Sequence, residues 1–318
     1  MWPFDASIES LWLGLYLATF ALHAVFVSYV AAGAGYALVA ALRGSADPIA
    51  ARVRDWLPFM LGAGITAGVG PLLFVQLLYQ RRFYTANLLL GPRWGAVVPA
   101  LIIGFYALYL AKASERRRRL ALGVAVACFA FVAWSWTELR LVMMDEPAWR
   151  AMYAAGARFY AEPAVVPRLV VWLGAMLSLF AVIAAWGAAP AERRRLAGLA
   201  LGGLIVCGAT TAIKVTLGRD FDPAHGWSYI LAVSAIAAAV GWGWIGRRPD
   251  GPGLAVATAA TTAALVAGTV VREAPRLAMI ERARGASGNA GGILVFAVTL
   301  VLGVVAIRWI VRTVREHP

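Results

Sequence analysis

The chain has 318 residues, 62% of them hydrophobic and 14% charged, with a mean hydropathy of +0.74 and a formal net charge of +13. So apolar a composition excludes a soluble globular enzyme, in which roughly a quarter of the residues are charged, and describes an all-α, polytopic membrane helix bundle. The positive charge is not a nucleic-acid signal, because Lys and Arg in a membrane chain first report which loops stay in the cytoplasm.

A bilayer core about 30 Å thick takes about 20 apolar residues per helix. Runs of that kind occupy 9–42, 56–80, 90–111, 120–140, 164–188, 196–215, 227–246, 253–271 and 291–311, about nine in all. The first follows an acidic start without the basic flank of a signal peptide, so it reads as a span. It holds His23 between Phe20, Ala21, Leu22 and Ala24, Val25, Phe26. A buried imidazole without a partner costs several kcal/mol. A backbone carbonyl, a hydroxyl of an adjacent helix or the iron of a haem would each satisfy it.

Small residues of the first two spans (Ala32, Gly33, Gly35; Gly62, Gly64, Gly68, Gly70) are of the kind that let helices approach closely in lipid. Arg81 and Arg82 follow the second span, where they would pair with haem propionates or reach to the headgroups. The run Glu115 to Arg119 reads as a cytoplasmic anchor for anionic lipid. Cys128 and Cys207, in the fourth and sixth spans, behave as small hydrophobes.

Two longer connections remain. In 141–163, Asp145 and Pro147 start a surface helix with Trp149, Met152, Tyr153, Gly156 and Tyr160 on one face, stopped by Pro163. His225 precedes the seventh span beside Lys214, Arg219, Asp220 and Asp222, placed to bond a quinone carbonyl, to ligate a haem or to stand as a solvated loop residue. The segment 272–290 reads as a short amphipathic helix, REAPRLAMIERARG, and a glycine-rich connection. No connection is long enough to fold alone, so 1–318 is a single integral membrane domain.

Basic residues cluster after the first, third, fifth and seventh spans and at the C-terminus: Arg43, Arg52, Arg54, Lys112, Arg116 to Arg119, Arg193 to Arg195, Arg247, Arg248, Arg308, Arg312 and Arg315. The positive-inside rule then puts the N-terminus outside and the C-terminus in the cytoplasm, as in a bacterial-type inner membrane. Tryptophans form the expected belts, Trp12, Trp94, Trp134, Trp136 and Trp227 near outer ends and Trp56, Trp186, Trp242, Trp244 and Trp309 near inner ends.

No phosphate-binding loop, CxxC or HExxH motif is present, and three histidines (His23, His225, His317) exclude a dedicated multi-histidine metal site. Glu138 and Glu273 sit at helix ends rather than midway, which argues against a proton-coupled transporter.

The stretches ALHAVFVSYVAAGAGYALVAAL and FMLGAGITAGVGPLLFVQLLYQRRFYTANLLLG resemble the first two helices of subunit I of the cytochrome bd quinol oxidases. The resemblance implies that His23 ligates a haem b. It also implies a pocket at the outer ends of spans two and seven, drawn from Gln76, Arg81, Arg82, Tyr84 and His225, for that haem or a quinone. The nine-span count and N-out orientation match. Val171 or Trp172 stands where that family's fifth helix has a histidine ligand, the third-helix carboxylates are missing, and the quinol loop shrinks to KVTLGRDFDPAHG. The expectation is therefore an electron-transfer protein, not itself an oxygen-reducing oxidase, completed by a partner membrane subunit or a c-type cytochrome. A haemless anchoring subunit and a small-solute carrier are the alternatives.

Overall fold

The computed structural model describes residues 8–156, 162–216 and 225–280, and beyond them positions 297, 298, 300–305, 308, 309 and 312. Among these residues the chain is a helix bundle with no strand: α1 (Ile8–Leu42), α2 (Pro48–Leu78), α3 (Gln80–Leu89), α4 (Gly91–Gly95), α5 (Val97–Ala113), α6 (Arg118–Met144), α7 (Trp149–Ala154), α8 (Val165–Trp186), α9 (Pro190–Thr216), α10 (Gly226–Arg247) and α11 (Gly253–Glu273). Eight segments of the described residues are long and apolar enough to cross a membrane, and they coincide with the first eight expected runs. The ninth run, 291–311, lies largely outside the described residues, and the positions described there are helical.

Successive long helices pair as antiparallel hairpins, α1 with α2, α5 with α6, α8 with α9 and α10 with α11. The bundle therefore has a Tyr79 end and an Asp47 end. Helix α2 starts eight residues before the apolar run, because Asp47 accepts a hydrogen bond from Ile49 N at 2.9 Å and Pro48 occupies the first turn. Gly44, at φ 63°, makes the reversal that precedes it. The same Asp47 accepts from Tyr36 Oη at 2.7 Å and pairs with Arg195 at 3.3 Å, while Arg52 meets Glu192 at 2.6 Å. Part of the basic cluster at this end thus ties hairpins together.

Close helix approach depends on missing side chains. A Cβ on Gly174 would meet Cys207 N at 3.0 Å, and one on Gly241 would meet Ala257 N at 2.6 Å, so α8 touches α9 and α10 touches α11 backbone to backbone. In α1, Gly33 makes room for Val53 and Phe180, whereas Gly35, and Gly62 in α2, have open space around them.

Three expectations are corrected. The surface helix of 141–163 is a 3-10 turn and the short α7, because Gly156 takes φ 59°; Met152 is buried and Tyr153 is 82% exposed, so they do not share a face. Tyr160 lies outside the described residues. The stretch from Arg272 is not a separate amphipathic helix: α11 continues to Glu273 and then as a 3-10 turn, Ala274–Met279, with Glu273 and Arg276 fully buried. Trp242 is a core residue, not a belt residue.

Candidate functional site

Helices α1, α6, α8, α9, α10 and α11 enclose a partly open cavity of about 260 Å³. Its body is apolar, with Phe20, Ala24, Leu179, Leu204, Leu231 and Ala235 among its walls. At the Tyr79 end Arg140, Arg168, Lys214 and Arg272, from four different helices, line it. Each sits within about two turns of its helix end, which is why they converge on one cap. Val171 and Trp172, the pair standing where the resemblance lacks a histidine, also line it.

A buried ionic cluster backs this cap. Glu273 accepts from Tyr79 Oη at 2.6 Å and from the Arg276 guanidinium at 2.7 Å. Arg272 and Arg276 each donate to Tyr16 Oη at 3.1 Å. Arg140 donates to the Arg272 carbonyl, and the Arg272 guanidinium lies 4.2 Å from the Phe20 ring and 5.5 Å from the Trp172 ring. The Glu273 carboxylate can only accept, so the Tyr79 hydroxyl is the donor of the bond between them. Around Glu273 stand Arg140, Arg272 and Arg276, one carboxylate against three guanidinium groups.

His23 faces elsewhere. Its Nδ1 lies 2.9 Å from the Gly64 carbonyl oxygen, which can only accept, so Nδ1 carries the proton and Nε2 the lone pair. The ring fills the notch left by Gly68, where a Cβ would come within 2.8 Å of Cε1. His23 does not line the cavity. Nε2 makes no hydrogen bond among the described residues. An imidazole that donates from Nδ1 to a carbonyl keeps Nε2 as its acceptor nitrogen.

The other expected site residues divide. Gln76 and Tyr84 do meet, with Tyr84 Oη 3.1 Å from Gln76 Oε1. Gln76 lies about 12 Å along α2 from Gly68 at 1.5 Å per residue, two turns from the imidazole. Arg81 and Arg82 both bond Glu146 at 2.7 Å and flank the Trp149 ring, so they clamp α3 to α7. His225 caps α10; its carbonyl accepts from Ser228 N at 2.8 Å, and its buried Nδ1 has no hydrogen-bond partner among the described residues. Its expected neighbours Arg219, Asp220 and Asp222 lie outside the described residues. Among the described residues no three His, Cys, Asp or Glu side chains are grouped to hold a metal ion.

A second buried pair joins Arg93 to Glu138, which also accepts from Trp134 Nε1 at 2.9 Å. The sequence reading missed Arg93, Arg140, Arg168 and Arg272 and named Lys214 only as a neighbour of His225. Each is a cation inside or beside an apolar run, a pattern that also fits a side chain snorkelling to the headgroups.

No family of proteins matches the sequence, and neither the curated proteins nor the solved structures include a match.

Proposed function

We propose that the chain is a ligand-binding protein of a bacterial-type inner membrane, spanning it about nine times with the N-terminus outside and the C-terminus in the cytoplasm. It draws a long amphiphilic molecule, a lipid or a quinone, from the bilayer and holds it in the cavity. The observation that carries this reading is the cavity itself: an apolar body among six helices, ending under a polar, cationic cap. Small-molecule sites have this composition, mostly apolar walls with a few polar groups that fix orientation. Partition of the ligand's chain follows from its exchange of one apolar surrounding for another. The cap supplies the preference for one molecule over bulk lipid. The test is mass spectrometry of small molecules retained by protein purified in mild detergent. One amphiphile held near one per chain supports the reading, and none held contradicts it.

A second reading is favoured by the state of the His23 imidazole, anchored at Nδ1 with Nε2 left as its acceptor. In it the protein is a distant relative of cytochrome bd subunit I, and His23 holds a haem b. That group would supply a one-electron redox centre, and a partner membrane subunit or c-type cytochrome would complete the route. Oxidised and reduced visible spectra with a pyridine haemochrome assay test it. A haem lost in His23→Ala supports this reading; a colourless protein made with ample haem sets it aside.

A further inference from the structure

We infer that the molecule held in the cavity carries a negatively charged head, a carboxylate or phosphate, seated among Arg140, Lys214 and Arg272 with its tail along Ala24, Leu204 and Ala235. This rests on the reading of the cavity as a binding site. Four observations lead to it.

The first is charge balance. Glu273 is the one carboxylate in reach of Arg140, Arg272 and Arg276 among the described residues, and it does not line the cavity. Its oxygens are taken by Tyr79, Tyr16 and Arg276. Arg272 pairs with Glu273 at 3.7 Å, and Arg140 and Arg276 stand beside the same carboxylate, so among the described residues three guanidinium groups share one negative charge that lies outside the cavity. Cations taken out of water carry a desolvation penalty unless paired, and the penalty is met when an anion arrives.

The second is Lys214. It lines the cavity, lies within electrostatic reach of Arg168 and Arg140, and makes no hydrogen bond or ion pair among the described residues. Three donor protons held beside like charges form a seat for an anion.

The third is orientation. The stacking of Arg272 on Phe20 and Trp172 and its bond to Tyr16 hold a guanidinium in place before any ligand arrives. A planar donor fixed in this way recognises carboxylate or phosphate oxygens.

The fourth is the exclusion of a neutral head. A quinone would accept hydrogen bonds from the cap but leave its net charge uncompensated, while an anion satisfies both.

The test uses the intact protein in phosphatidylcholine nanodiscs. The chain has 13 tryptophans, so the difference in fluorescence between wild type and Trp172→Phe isolates the ring in the cavity wall. Brominated chains quench it on contact. The probes are brominated phosphatidylglycerol, a brominated fatty acid and brominated phosphatidylcholine. The expected result is quenching of Trp172 by an anionic probe at about one tenth of the mole fraction that the zwitterionic lipid needs, a tenfold preference. Lys214→Gln reduces that preference several-fold, and Lys214→Arg keeps it, which separates loss of charge from loss of fold. Quenching by the fatty acid alone identifies a free carboxylate as the head, and by phosphatidylglycerol alone a lipid phosphate. Equal quenching by anionic and zwitterionic chains overturns the charge inference while leaving the cavity reading intact. Full preference in folded Lys214→Gln overturns it too. Absence of any Trp172-dependent quenching overturns both.

Discussion

The Tyr79 hydroxyl donates to the Glu273 carboxylate across 2.6 Å, joining residues 194 apart in the chain and fastening the end of α2 to the end of α11. Both are fully buried, and Arg276 lies 4.8 Å from the Tyr79 ring centre while also bonding that carboxylate. The pair fixes the wall behind the cationic cap.

Removing its charge has a definite consequence. Glu273→Gln leaves Arg140, Arg272 and Arg276 buried without an opposite charge, and breaking a buried pair in this way costs about 3–5 kcal/mol. Tyr79→Phe removes one hydrogen bond to a charged group and costs about 1.5–3 kcal/mol. Thermal unfolding in detergent should place Glu273→Gln well below Tyr79→Phe, and Tyr79→Phe below wild type.

The fit of His23 into α2 is testable as a coupling. Gly68→Ala puts a methyl 2.8 Å from His23 Cε1, so α1 and α2 must part, at about 1–3 kcal/mol for overpacking. His23→Ala removes the obstacle. The double variant should therefore be more stable than the sum of the single losses predicts, with a coupling above about 0.5 kcal/mol in a double-mutant cycle. Additive losses would mean that the ring does not occupy the notch.

Arg93 and Glu138 form a pair whose value lies in being complete. Arg93→Leu strands the Glu138 carboxylate in a buried site and should cost about 3–5 kcal/mol, whereas Arg93→Leu with Glu138→Leu removes both charges and should recover most of the loss. Equal melting temperatures for the single and double variants would contradict this.

The α3–α7 clamp responds to acid. The hydrogen bond from Arg81, aided by the charges of Arg81 and Arg82, holds the Glu146 pKa below its ordinary 4.5. A lowered folded-state pKa means that the clamp contributes fully above 4.5 and is lost as pH falls through the lower value. Hydrogen exchange over 146–154 should be unchanged from pH 7 to 5, after correction for intrinsic rates, and should quicken only in stronger acid. In Glu146→Gln the quickened rate should be present at pH 7.

The positions of the long helices were legible because an apolar run of membrane length has few other outcomes. Their ends were less so: Asp47 and Pro48 extend α2 beyond its apolar run by capping, a local signal that hydropathy does not record. A backbone carbonyl as partner of His23 was among the alternatives open from sequence; that the carbonyl belongs to Gly64 was not, because it depends on how α1 and α2 pack. The cationic cap was not legible. Arg140, Arg168, Lys214 and Arg272 stand singly near the ends of four helices, and each alone reads as a headgroup anchor. Only packing of α6, α8, α9 and α11 side by side makes them one feature. The partner that Arg81 and Arg82 share was not legible for a related reason, since Glu146 lies 64 residues after Arg82 and no spacing rule connects them.

The central claim is that the cavity holds an amphiphile, and filling it tests that most directly. Ala175 lines the wall beside Trp172, and Ala175→Phe would occupy the space a chain needs. Native mass spectrometry of wild type should show one retained amphiphile per chain, and folded Ala175→Phe should lose it. Retention of the same molecule at the same occupancy in Ala175→Phe, or an empty wild-type protein, would contradict the account.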